Sequence, residues 1–161
     1  MDYNPYNPST NPSSYPMKWH KFLIYFALWL SALSWIRNGF MLLNGSHYGN
    51  EVERNLVYAV FANLKSLDTV MALLSFGVAA LAIWTRFSLA GYKQRGPKLL
   101  MTLYGVNGIF DLLYTVLASS ITGLPFSDLI DASVFIAVIV AVIMIFVNKA
   151  YYDNRAALFI Y

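Results

Sequence analysis

Five side chains of this chain could do chemistry while standing among apolar residues: Arg37, Asn38, Asp68, Asn107 and Asp111. A guanidinium and two carboxylates can pair with each other, hold an ion or a charged solute group, or pass a proton. The two amides can keep such groups in register. Their spacing is helical. Ser31, Ser34 and Asn38 recur at i, i+3 and i+7, with Arg37 beside Ser34. Tyr104, Asn107, Gly108, Asp111 and Thr115 form a second stripe, in which Asn107 and Asp111 are one turn apart.

A charge in hydrocarbon costs roughly 2.5–3.5 kcal/mol on insertion scales, so such groups normally face a bundle interior and pair. At ~1.5 Å per residue, Arg37 lies roughly 9 Å below the outer end of its apolar run and Asp111 roughly 15 Å below its own. Asp68 falls close to the outer surface. Arg37 thus stands between the two acids in depth, and the spacing predicts an ion pair, Arg37–Asp111 or Arg37–Asp68. Such a pair either fixes helix register or, with Asn107, lines a polar cavity for a small solute or ion. One Asp and one Arg within four short helices are few for a transporter. Helices broken by Gly or Pro in paired positions are also missing, which favours the structural role.

Other chemistry finds little support. There is no Cys, hence no disulfide, thiolate metal site or Cys nucleophile. There is no GxGxxG, P-loop, HExxH or nucleophile elbow. His20 and His47 are expected at opposite membrane surfaces, too far apart to share a metal in one copy. The chain is therefore read as a non-enzyme with no cofactor and no metal. Its basic groups are short and juxtamembrane, which argues against nucleic acid as a partner.

The elements that must position these residues are four apolar runs, near residues 22–43, 68–85, 99–121 and 129–147. Of 161 residues, 58% are hydrophobic and only 12% charged, whereas soluble domains are about a quarter charged. A span needs about 20 mostly apolar residues, so four spans leave no room for a separate soluble domain. The fold class is all-α: a four-helix transmembrane bundle over residues 18–161, behind a tail at 1–17. That tail, rich in Pro, Asn, Ser and Tyr, lacks the features of a secretory signal and is expected to be disordered.

Charge sets the expected topology. Eight of the eleven Lys and Arg fall in three groups: Lys18 and Lys21; Arg86, Lys93, Arg95 and Lys98; Lys149 and Arg155. By the positive-inside rule these groups, and with them both termini, are cytoplasmic. The same bases determine topology or contact lipid headgroups of the bilayer. Trp19, Trp84, Tyr48, Tyr151 and Tyr152 are expected as interfacial anchors. Asn44-Gly45 stops the first helix, and part of 51–67 forms a helix on the membrane or extending the second span. Gly123-Leu124-Pro125 ends the third, and Ser127 or Asp128 caps the fourth. Ser75 with Ala79, and Ala137 with Ala141, mark close-packing faces.

Four segments carry a resemblance: MKWHKFLIYFALWLSA (17–32), NLKSLD (63–68), TRFSLAGYKQRGPKLL (85–100) and NKAYYDNRAALF (148–159). Together they resemble an uncharacterised family of small four-helix bacterial integral membrane proteins, most clearly in the basic loop from Arg86 to Pro97. Relatives often carry a zinc ribbon before the first span, which this Cys-free chain lacks. The resemblance implies a multi-pass protein of the bacterial inner membrane and brings no activity with it. The combined expectation is an interaction or accessory component with a membrane-protein partner or a homo-oligomer. A small channel or transporter working at Arg37, Asn107 and Asp111 is the alternative.

Overall fold

A computed structural model describes residues 17–161, so the expected disordered tail lies almost wholly outside the described residues. All regular structure among these residues is helical. The first long helix, α1, runs Lys18–Asn44; α2 is Glu51–Val60; α3 is Ala62–Ala90; α4 is Arg95–Thr122; α5 is the single turn Phe126–Leu129; α6 is Ala132–Asp153. Helices α1, α3, α4 and α6 are each long and apolar enough to cross a membrane. Each packs on the next in chain order, the up-and-down arrangement that short connections enforce.

The bundle is apolar on its outside as well as within. Phe135, Ile136, Ile139, Ile143 and Phe146 of α6, and Tyr25, Phe26, Leu30 and Leu33 of α1, are all more than half exposed. Soluble monomers rarely carry so large an apolar surface. A hydrocarbon solvent removes its cost. By length and composition, the bundle thus has four helices suited to cross a membrane and an apolar outside suited to lipid.

Two core clusters lie along the bundle. One joins Leu23, Leu28 and Ala32 of α1 to Ala82 and Leu89 of α3, Leu100 and Leu103 of α4, Tyr152 and Phe159. It occupies the basic end, where Lys18, Lys93 and Lys98 lie. The other joins Leu42 to Leu64, Leu67 and Met71 of α3 and Phe110 of α4, at the opposite, tyrosine-rich end.

The spans are longer than their apolar runs. The second begins at Ala62 and ends at Ala90, where hydropathy suggests 68–85. Backbone hydrogen bonds carry a helix past its apolar residues as long as no breaker intervenes. Asp68 therefore sits two turns inside α3 rather than at a surface. Helix α2 is separate from it, broken at Phe61 (φ −123°, ψ 72°). Asn50 caps α2 with a reciprocal box: its side chain accepts from Val52 and Glu53 N–H, and Glu53 accepts from Asn50 N–H.

Gly45 ends α1 in the left-handed region (φ 63°), as the Asn-Gly pair predicts. Helix α6 is capped by Asp131, whose side chain accepts from Ser133 N–H at 2.7 Å. Ser127 and Asp128 were the expected caps, but both are used inside the separate turn α5. Gly108 lets α4 and α6 touch, since a Cβ there would lie 2.6 Å from that of Ala141.

One irregularity has a clear physical partner. Residues Leu23–Ala27 form a π-turn, and Leu28 N–H reaches back five residues to Leu23 O. That leaves Ile24 O without its usual helical donor, and Arg86 Nε donates to it at 3.2 Å.

Candidate functional site

Among the described residues, the most connected polar site surrounds Asp68, which is only 1% exposed. Its helix brings it inward, and three tyrosines from three other elements close over it. Tyr58 of α2 donates to Oδ2 at 2.8 Å, and Tyr114 of α4 donates to Oδ1 at 2.9 Å. Tyr48, from the turn Ser46–Tyr48, lies 2.9 Å from Tyr114 Oη and 3.4 Å from Asp68 Oδ1. Each phenol has one proton to give. Tyr114 gives its own to Asp68, so the shorter Tyr48 contact is a donation onward to Tyr114. His47 Nε2 completes the group, 3.2 Å from Tyr114 Oη and 3.7 Å from Asp68 Oδ1.

This cluster ties four elements together through one carboxylate. Burial, opposed in part by the Tyr114 hydrogen bond and aided by Asp68, pushes the Tyr48 phenol up to about 12. Burial, then the hydrogen bond and charge of Asp68, also raises Tyr58. Both phenols are therefore held as proton donors.

The structure separates the residues that the sequence groups together. Asn38 Nδ2 donates to Ser75 Oγ of α3 at 3.2 Å. Asn107 Oδ1 accepts from Trp35 Nε1 at 3.0 Å, tying α1 to α4. The Arg37 ion pair is not formed: Asp68 is enclosed by tyrosines, and no carboxylate among the described residues lies within 4.0 Å of Arg37. The reason is angular. The core side of α1 is set by Leu28, Ala32, Gly39 and Leu42. At ~100° per residue Arg37 falls on the opposite side of the helix, and it is exposed. Asp111 is exposed too. It shares an open depression of about 230 Å³ with Ser34, Trp35 and Asn38, on the flank between α1 and α4.

At the basic end, Lys18, Lys21, Lys93, Arg95 and Lys98 are exposed, and Arg95 lies over the Trp84 ring at 5.2 Å. Arg86 departs from the expectation of a headgroup ligand. It is drawn inward by Ile24 O and stacks on Trp29 and Phe87, at 5.3 and 4.7 Å. His20 is fully buried, with Nδ1 3.1 Å from Tyr152 Oη, and Trp19 Nε1 donates to Asn148 Oδ1 at 2.9 Å. Tyr152 is therefore a core residue instead of an interfacial anchor, whereas Tyr48 stays partly exposed with its hydroxyl on Tyr114. His20 and His47 sit at opposite ends. Among the described residues, no three His, Asp or Glu side chains converge as metal ligands would.

Sequence reasoning misses His47, Tyr48, Tyr58 and Tyr114. Only Tyr114 carried a signal, seven residues after Asn107 on the same helix face. No family model, no curated protein and no solved structure matches this chain.

Proposed function

We propose that this chain is a non-enzymatic integral membrane protein, serving as an interaction or accessory component of the bacterial inner membrane. Both termini and the Arg86–Lys98 loop are placed in the cytoplasm by the positive-inside rule. The tyrosine cluster then faces outward. Lys18, Lys21, Lys93, Arg95 and Lys98 meet the inner headgroup layer. Helix α2 lies on the outer membrane surface, with Val52, Leu56 and Val60 as its exposed apolar stripe.

The observation that carries this reading is the outward placement of Arg37 and Asp111. The interior polar groups bond to one another across the bundle: Asn38 with Ser75, Asn107 with Trp35, and Asp68 with Tyr58 and Tyr114. The charges left over lie on the lateral surface, where only lipid or another membrane protein can meet them. A charge against lipid costs roughly 2.5–3.5 kcal/mol, so a protein partner is the favoured neighbour.

The test is affinity purification of the full chain from native membranes in mild detergent, followed by native mass spectrometry. A stoichiometric complex, with another subunit or with further copies, is the expected result. A monomer carrying lipid alone overturns the reading. The depression beside Asp111 gives the channel or transporter alternative its footing. Under that reading, Asp111→Asn abolishes solute flux in liposomes while the protein still folds.

A further inference from the structure

Arg37 and Asp111 are exposed, and neither side chain has a hydrogen-bond or ion-pair partner among the described residues. They have opposite sign and occur once each on this flank. The structure brings both to the level of one depression. Asp111 borders the same depression as Ser34 and Asn38, and Arg37 lies between those two positions on α1. Around the helix, Arg37 is about 60° beyond Ser34 on the side away from Asn38. The flank therefore runs from Asp111, across the depression and Ser34, to Arg37.

Such a surface is its own complement. A two-fold axis along the membrane normal preserves depth and exchanges the two sides of the flank. An axis near Ser34 carries the Arg37 of each copy over the depression that holds Asp111 of the other. We infer that this flank of α1 and α4 is a homodimer interface closed by two reciprocal Arg37–Asp111 ion pairs. The inference rests on the reading of the chain as a lateral interaction component and names its partner as a second copy. Ser34 and Asn38 lie between the two pairs and supply small polar contacts of the kind that packs membrane helices closely.

The experiment measures dimerisation of the full chain in liposomes by energy transfer between donor- and acceptor-labelled copies. Wild-type chains are expected to dimerise. Arg37→Asp alone and Asp111→Arg alone each replace both attractions with like-charge contacts, which lowers dimer affinity on the order of a hundredfold. Mixing the two variants restores both pairs, since one copy then has two Asp and the other two Arg at the interface. Each copy keeps a like-charge arrangement within itself, so the recovery cannot come from an intramolecular pair. A mixture that stays monomeric, or single variants that dimerise like the wild type, overturns the inference.

If the charge variants do not fold, the absence of Cys supplies a second route. Ser34→Cys keeps the native charges and is expected to cross-link to itself across the axis. Ile139→Cys, on an exposed face of α6, is expected not to. No cross-link at position 34 overturns the dimer. A monomeric wild type that co-purifies with a foreign subunit overturns the dimer as well, and leaves the accessory role standing.

Discussion

Replacing Tyr58 with Phe deletes one hydroxyl and keeps the ring, whose centroid lies 5.5 Å from that of Tyr48. The deleted group is the donor 2.8 Å from Asp68 Oδ2. The other contacts of this carboxylate, from Tyr48, Tyr114 and His47, all reach Oδ1. Oδ2 is thus left without a donor at a site that is 1% exposed. A hydrogen bond to a charged group contributes about 1.5–3 kcal/mol and a neutral one about 0.5–1.5. The substitution should cost about 2 kcal/mol in the wild type and under about 1 in an Asp68→Asn background. For a chain of this size, 2 kcal/mol shifts the melting temperature by about 4–8 °C. The assay is thermal unfolding in detergent micelles, followed by tryptophan fluorescence, over all four members of the cycle. Additivity to within about 0.5 kcal/mol would mean that the two residues are not coupled and that Asp68 is not the hub of this end.

Three further outcomes are expected. Gly108→Ala forces a methyl to within 2.6 Å of the Ala141 Cβ, costing about 1–3 kcal/mol by overpacking, and Ala141→Gly should restore the melting temperature. Arg86→Gln removes the donor to Ile24 O, a buried carbonyl whose loss of partner costs about 1–3 kcal/mol. Hydrogen exchange of amides in 23–28 should rise in that variant. The Tyr48 phenol titrates at about 12 in the folded chain against an ordinary 10, so between those values the folded state holds a proton that the unfolded state has lost. Its contribution to stability is complete below pH 10 and disappears as pH rises toward 12. Melting scans at successive alkaline pH values should show that decline, and Tyr48→Phe should make it shallower, the raised Tyr58 phenol keeping the rest.

The spans were legible because membrane helices announce themselves through twenty-residue apolar runs, which α1, α3, α4 and α6 carry. Their ends were not, since helical hydrogen bonding continues through Asn63 and Lys65 to Ala62 without regard to polarity. Periodicity found the two polar stripes. It could not say which way each stripe points, because that depends on which face the apolar neighbours turn inward. On α1 those neighbours place Asn38 toward Ser75 and leave Arg37 outside. The Asp68 cluster was hidden for a different reason. Tyr48, Tyr58 and Tyr114 come from three elements, and only folding places their hydroxyls together. No spacing in the chain encodes that meeting.

The wide turn at Leu23–Ala27 makes the first span a helix of two phases. One surplus residue sets the stretch before it about 100° out of step with the stretch after it. Trp19 and His20 can then engage Asn148 and Tyr152 of α6, while Leu28, Ala32 and Gly39 keep their packing side toward α3. A uniform α-helix would have to give up one neighbour to serve the other. Loss of a single residue at this turn would therefore uncouple α1 from α6 without altering any side chain at their junction. It would also leave Arg86 with no free carbonyl to bind. The loss of one codon here would thus cost the first span a helix contact rather than merely a residue of length.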